Sequence, residues 1–186
     1  MRSFTSIFIL LILGIIFSVK RTFAQSGSDV VTLNIRLLPI QTIIVNPSQK
    51  NTDLQYVTKE DYDNGVTLTL TDHLSVSSTG GFQINVLSSN VNFTRAGSDD
   101  IIPVSDVVVS AESGSDNSLS NEFSKVALST NPESLIVSDN GGRDLKYDVT
   151  YDNTAGSSDK YINKTSGQSN LEVVYKTNIT YTITSK

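Results

Sequence analysis

Cysteine and tryptophan are absent from the 186 residues, histidine occurs once, and proline occurs four times. Without cysteine there can be no disulfide scaffold, no thiol nucleophile and no thiolate metal ligand, so burial must hold the fold together. The single histidine, His73, restricts imidazole chemistry. A Ser-His-Asp triad would have to be built around it, and no G-x-S-x-G elbow occurs. Zinc catalysis needs further histidines or carboxylates at fixed spacing, and these are missing too. His73 follows Thr71-Asp72 between two strand patterns and reads as an exposed strand histidine. Carboxylate pairs (Asp99-Asp100, Glu60-Asp61, Asp148 with Asp152) are present. With tryptophan missing and no aromatic-lined cleft, they do not indicate glycosidase chemistry. No catalytic residue, cofactor or metal ligand is expected, and the chain is not read as an enzyme.

Long apolar runs are also scarce. The one exception, Ile7 to Phe17, follows the basic start Met1-Arg2 and precedes Lys20-Arg21 and Thr22-Phe23-Ala24. This is the order of a secretory signal peptide, with cleavage expected between Ala24 and Gln25. Eleven apolar residues fall short of the roughly 20 that span a bilayer. The expected mature chain, residues 25–186, is a single domain of 162 residues, enough for a sizeable core. Cleavage removes Arg2, Lys20 and Arg21 from 14 basic residues, leaving 11 against 19 acidic ones, a formal charge of −8. That balance excludes nucleic acid and anionic lipid as expected partners. An exported location follows: cell surface, extracellular or periplasmic, with no membrane span after cleavage.

What the mature chain does have is a period of two, which places alternate residues on opposite faces of a strand. Leu171, Val173, Tyr175, Ile179, Tyr181 and Ile183 share one parity; Leu145, Tyr147, Val149 and Tyr151 share another. Val31, Leu33, Ile35 and Leu37 alternate with Thr32, Asn34 and Arg36, and Val66, Leu68 and Leu70 alternate with threonines. Phe82, Ile84 and Val86 continue the pattern. Turns are expected at Asp63-Asn64-Gly65, Thr79-Gly80-Gly81, Ala96 to Asp99, Asp139 to Gly142 and Ala155 to Ser158. Pro39, Pro47, Pro103 and Pro132 fit strand ends or edges. Ser110 to Ser120 reads as a surface loop, and at most a short helix or irregular excursion fits between Ser113 and Lys125. The expected fold is an all-β, antiparallel, immunoglobulin-like β-sandwich of about seven to nine strands.

Calcium has two weak candidates. Asp61-Tyr62-Asp63-Asn64-Gly65 has alternate acidic residues with Asp72 eleven residues after Asp61, but Val66 and Asp72 stand where an EF-hand needs glycine and glutamate. A hairpin turn with an Asn-Gly tip is the simpler reading. Asp139 and Asp144 flank the double glycine and form the other candidate.

Two resemblances bear on function. Gly80-Gly81-Phe82-Gln83-Ile84-Asn85-Val86, then Ile102-Pro103-Val104, and the ending Tyr175 to Thr184 resemble the signatures of WxL bacterial cell-surface domains. The matches span roughly Val66 to Thr184, with Phe82 and Tyr181 where the family has tryptophan. That resemblance implies a non-catalytic module associated with the cell wall, its partners being wall glycan or other envelope and surface proteins. Val30 to Ile44 resembles the leading segment of fimbrial subunits, which implies self-association into fibres by strand donation. The expected function is thus a non-catalytic exported structural or binding module. The alternative is a pilus-like fibre subunit polymerising through residues 30–44. Phe82 and Tyr181 share parity with apolar neighbours, which places both rings between the sheets, and Val31 to Leu37 reads equally as the domain's own first strand.

Overall fold

The computed structural model describes residues 26–154, 160–165 and 172–186. The chain divides into two units, residues 1–37 and 38–186. Residues 1–24, read as the export segment, lie outside the described residues, as do Gln25, Leu171 and the expected turn at Ala155 to Ser158. In the first unit, residues 26–37 carry no secondary structure and are exposed throughout.

The second unit is all-β and antiparallel. Its strands are β1 (Gln41–Val45), β2 (Thr67–Ser78), β3 (Phe82–Ser88), β4 (Asn92–Thr94), β5 (Ile101–Pro103) and β6 (Val108–Ser113). Beyond these come β7 (Asn121–Phe123), β8 (Val126–Ala127), β9 (Glu133–Ser138), β10 (Gly142–Asp152) and β11 (Ile179–Ser185). One sheet runs β1-β2-β10-β6-β8, another β11-β3-β9-β7, and β4 pairs with β5. The two larger sheets share one core, a sandwich-like arrangement. Leu74, Val76, Val109, Tyr147 and Val149 come from the first sheet; Phe82, Ile84, Val86, Leu135 and Ile136 come from the second.

Alternation produced these layers where a strand has one wet face. β3 buries Phe82, Ile84, Val86 and Ser88 with half-buried residues between them, and β10 buries Leu145, Tyr147, Val149 and Tyr151. Phe82 has no exposed surface at all, and Tyr181 is half-buried and packs on the core. The strand count is eleven among the described residues rather than seven to nine. Ser110 to Ser113, read as loop, belongs to β6.

Several expectations are corrected. The Asp63-Asn64-Gly65 turn is the end of a helix, α1 (Lys59–Asn64), and no helix forms between Ser113 and Lys125. Thr58 and Asp61 close a capping box: Thr58 N donates to Asp61 Oδ2 at 2.6 Å and Asp61 N to Thr58 Oγ1 at 3.2 Å. Gly65 ends the helix at φ 78° and ψ 178°, a region open essentially to glycine. Six residues are too short for a helical period to be read from sequence. Val31 to Leu37 is not the domain's first strand, because the ladder with β2 begins at Gln41, paired with Ser78. Val173 and Tyr175 also precede the final strand, which starts at Ile179.

His73 is buried, with 3% of its surface exposed. The cause is a bulge. Tyr147 pairs with Leu74 and Val149 with Leu70, so Asp148 alone opposes residues 71–73. Asp72 takes up the excess at φ 50°, and the chain turns a nominally outward residue into the interior.

Candidate functional site

The lone histidine sits in a chain of hydrogen bonds linking both sheets. His73 Nδ1 lies 2.9 Å from Gln49 Oε1, which can only accept, so Nδ1 carries the proton. Nε2 is then the acceptor for the Tyr151 hydroxyl at 3.2 Å, and Tyr151 in turn accepts from the Tyr181 hydroxyl at 2.6 Å. Both tyrosine rings meet the imidazole edge to face. Burial lowers the His73 pKa and raises those of Tyr151 and Tyr181. All three groups are therefore held neutral at neutral pH, and among the described residues no carboxylate touches the imidazole to make it a base. The network ties β2 and β10 to β11. Truncating His73 should cost ~1–3 kcal/mol by stranding the Tyr151 hydroxyl, rather than the negligible amount an exposed residue would.

A pH effect follows. The folded-state pKa of His73 lies below its ordinary 6.5, so the unfolded chain binds the extra proton first. The stability contributed is present above about pH 6.5 and is lost as pH falls from there through the folded pKa. The melting temperature should drop between pH 7.5 and pH 5.5, and the drop should be smaller in His73→Gln. Equal slopes in the two proteins would contradict this placement of the imidazole.

A second cluster surrounds Asp106, buried in the 3₁₀ turn Val104–Asp106. Its Oδ1 accepts from Lys160 Nζ at 2.5 Å and its Oδ2 from the Tyr161 hydroxyl at 2.8 Å. Asn153 Nδ2 donates to the Asp106 carbonyl at 2.9 Å, and the Tyr56 hydroxyl donates to Asn153 Oδ1. Tyr56 also packs against Tyr62 and Tyr161, with ring centroids 5.2 and 5.4 Å away. Burial, helped by the Asp106 charge, pushes the Tyr56 phenol up to about 12, and burial likewise raises Tyr161. Every group here is engaged with another part of the chain. The arrangement pins the segments around Tyr56, Asp106 and Asn153 and offers no free acid, base or nucleophile.

The calcium candidates are dispersed by their own bonds. Asp61 caps α1, and its carboxyl is held low by the Thr58 and Val57 amides. Asp63 pairs with Lys59. Asp72 accepts from Ser115 N at 2.9 Å and Ser115 Oγ at 2.7 Å, and these bonds lower its pKa. Asp144 donates its amide to Ser77 Oγ, and Asp139 pairs with Lys186. Asp100, from another expected pair, holds Lys164 and the Tyr175 hydroxyl. Among the described residues no three metal-ligating side chains converge. Two surface hollows are mostly polar: one of about 150 Å³ is lined by Asn121, Val137, Asp139 and Lys186 among others, and another by Ser115, Asp116, Asn117 and Ser118.

The leading segment is exposed. Val31, Leu33, Ile35 and Leu37 are 88, 85, 82 and 88% exposed, and Val30 and Leu38 are similar. They carry an apolar strand pattern with no ladder partner among the described residues. Neither a protein-family model nor a curated protein matches the chain. No helix of the described residues is long and apolar enough to cross a membrane.

Proposed function

We propose that the chain is an exported, non-catalytic structural module, an immunoglobulin-like β-sandwich of the cell surface or periplasm that assembles through its leading segment. The observation that carries this reading is the exposure of Val30 to Leu38. Burying a Val, Leu or Ile side chain gains ~1.5–3 kcal/mol, and six such residues in nine positions are a costly pattern to leave in water. Single exposed apolar residues need no explanation; a contiguous alternating run does. Of the two functional readings, fibre subunit and wall-associated module, the run favours the fibre. The enclosure of Phe82 and the bond from the Tyr181 hydroxyl to Tyr151 also support the fibre over the wall-associated module. The inward-facing polar clusters agree with a structural rather than a catalytic role.

Sedimentation velocity on the chain produced from Gln25 onward tests the reading. A concentration-dependent series of oligomers is expected, and a monomer at every concentration would contradict it.

A further inference from the structure

Resting on the reading of the leading segment as a strand for another copy, we infer that its seat is the free edge of β11, Ile179–Ser185. A strand that presents unpaired amides and carbonyls is a template for another chain unless it is short, charged, bulged or flanked by proline. The described edges can be compared on those terms. β7 and β8 have three and two residues. Residues 121–127 pass directly from the sheet of β9 to the sheet of β6, which closes that side of the core. β1 is five residues long, with Pro39 and Pro47 flanking it.

β11 has seven residues, paired on one side only. Its sequence, ITYTITS, contains no charge, proline or glycine, and its register against β3 runs unbroken from Ile179 to Ser185. Its inward row, Ile179, Tyr181 and Ile183, packs on the core yet is only partly buried. β1 lies near this edge, with Ser185 Oγ donating to Gln41 Oε1 at 3.3 Å, but among the described residues no ladder pairs with β11 on that side. Residues 30–38 are long enough to run the whole of it and share its periodicity, and Arg36 is their one charge, so no like-charge contact opposes pairing. Added beside β11, the segment would cover Ile179, Tyr181 and Ile183 with Val31, Leu33, Ile35 and Leu37 and leave Thr32, Asn34 and Arg36 outside.

The test uses the chain from Gln25 with Leu33→Asp and Ile35→Asp, which blocks its own donation, and a synthetic peptide of residues 29–40. Hydrogen exchange is followed with and without excess peptide. Amides of Ile179–Ser185 are expected to slow at least about tenfold, while Gln41–Val45 is unchanged. A bound peptide that protects β1 or residues 121–127 instead would overturn the β11 assignment and leave strand donation standing. A peptide that neither binds nor protects any strand would overturn strand donation itself.

Discussion

Replacing Phe82 with alanine is expected to lower stability by ~3–5 kcal/mol, the cost of truncating a buried Phe side chain and leaving its cavity. Phe82 is fully enclosed at the start of β3, between Ser185 of β11 and Ser138 of β9 in the ladder, and it packs within the core both large sheets share. At roughly 2–4 °C per kcal/mol for a domain of this size, the melting temperature should fall by about 10 °C. Phe82→Leu keeps most of the volume and should cost less. A Phe82→Ala protein that melts normally would show that the ring is not in the core.

The second large effect is expected at Gly65. A Cβ there would lie 2.5 Å from Asn153 O and 2.5 Å from Thr154 Cα, both backbone atoms. That backbone cannot yield easily, because Asn153 N donates to Val66 O at 2.8 Å and the Asn153 side chain is held by Tyr56 and Asp106. The conformation itself, at φ 78° and ψ 178°, adds ~1–3 kcal/mol of strain for any other residue. Gly65→Ala should therefore be strongly destabilised in urea. Gly80→Ala is the control, since nothing lies within 4 Å of its Cβ position. Equal unfolding midpoints for the two variants would contradict the close approach of α1's end to the end of β10.

These two positions also show what sequence can and cannot carry. Phe82 was legible because β3 keeps strict alternation, the irregularity in its ladder with β9 falling at Leu135 on the partner strand, so parity and burial coincide. The same logic placed Leu145 to Tyr151 correctly. It failed at His73, because the bulge at Asp72 breaks the link between parity and face. It failed at Gly65 because an Asn-Gly pair ends a short helix as readily as it turns a hairpin. The cluster around Asp106 includes a hydrogen bond between residues 97 positions apart, and no local spacing announces it. Residues 30–38 carry the alternation yet form no strand and stay exposed, and a pattern cannot state what covers such a face.

The central claim is that this face is meant for another copy. Sedimentation velocity of the chain from Gln25 beside its Leu33→Asp, Ile35→Asp variant, with thermal melts of both, tests it most directly. Both substitutions fall on exposed side chains outside any strand. The expected result is an oligomer series in the parent, a monomer in the variant, and the same melting temperature in dilute solution. Persistent oligomers in the variant, or a variant that loses stability as a monomer, would contradict the claim.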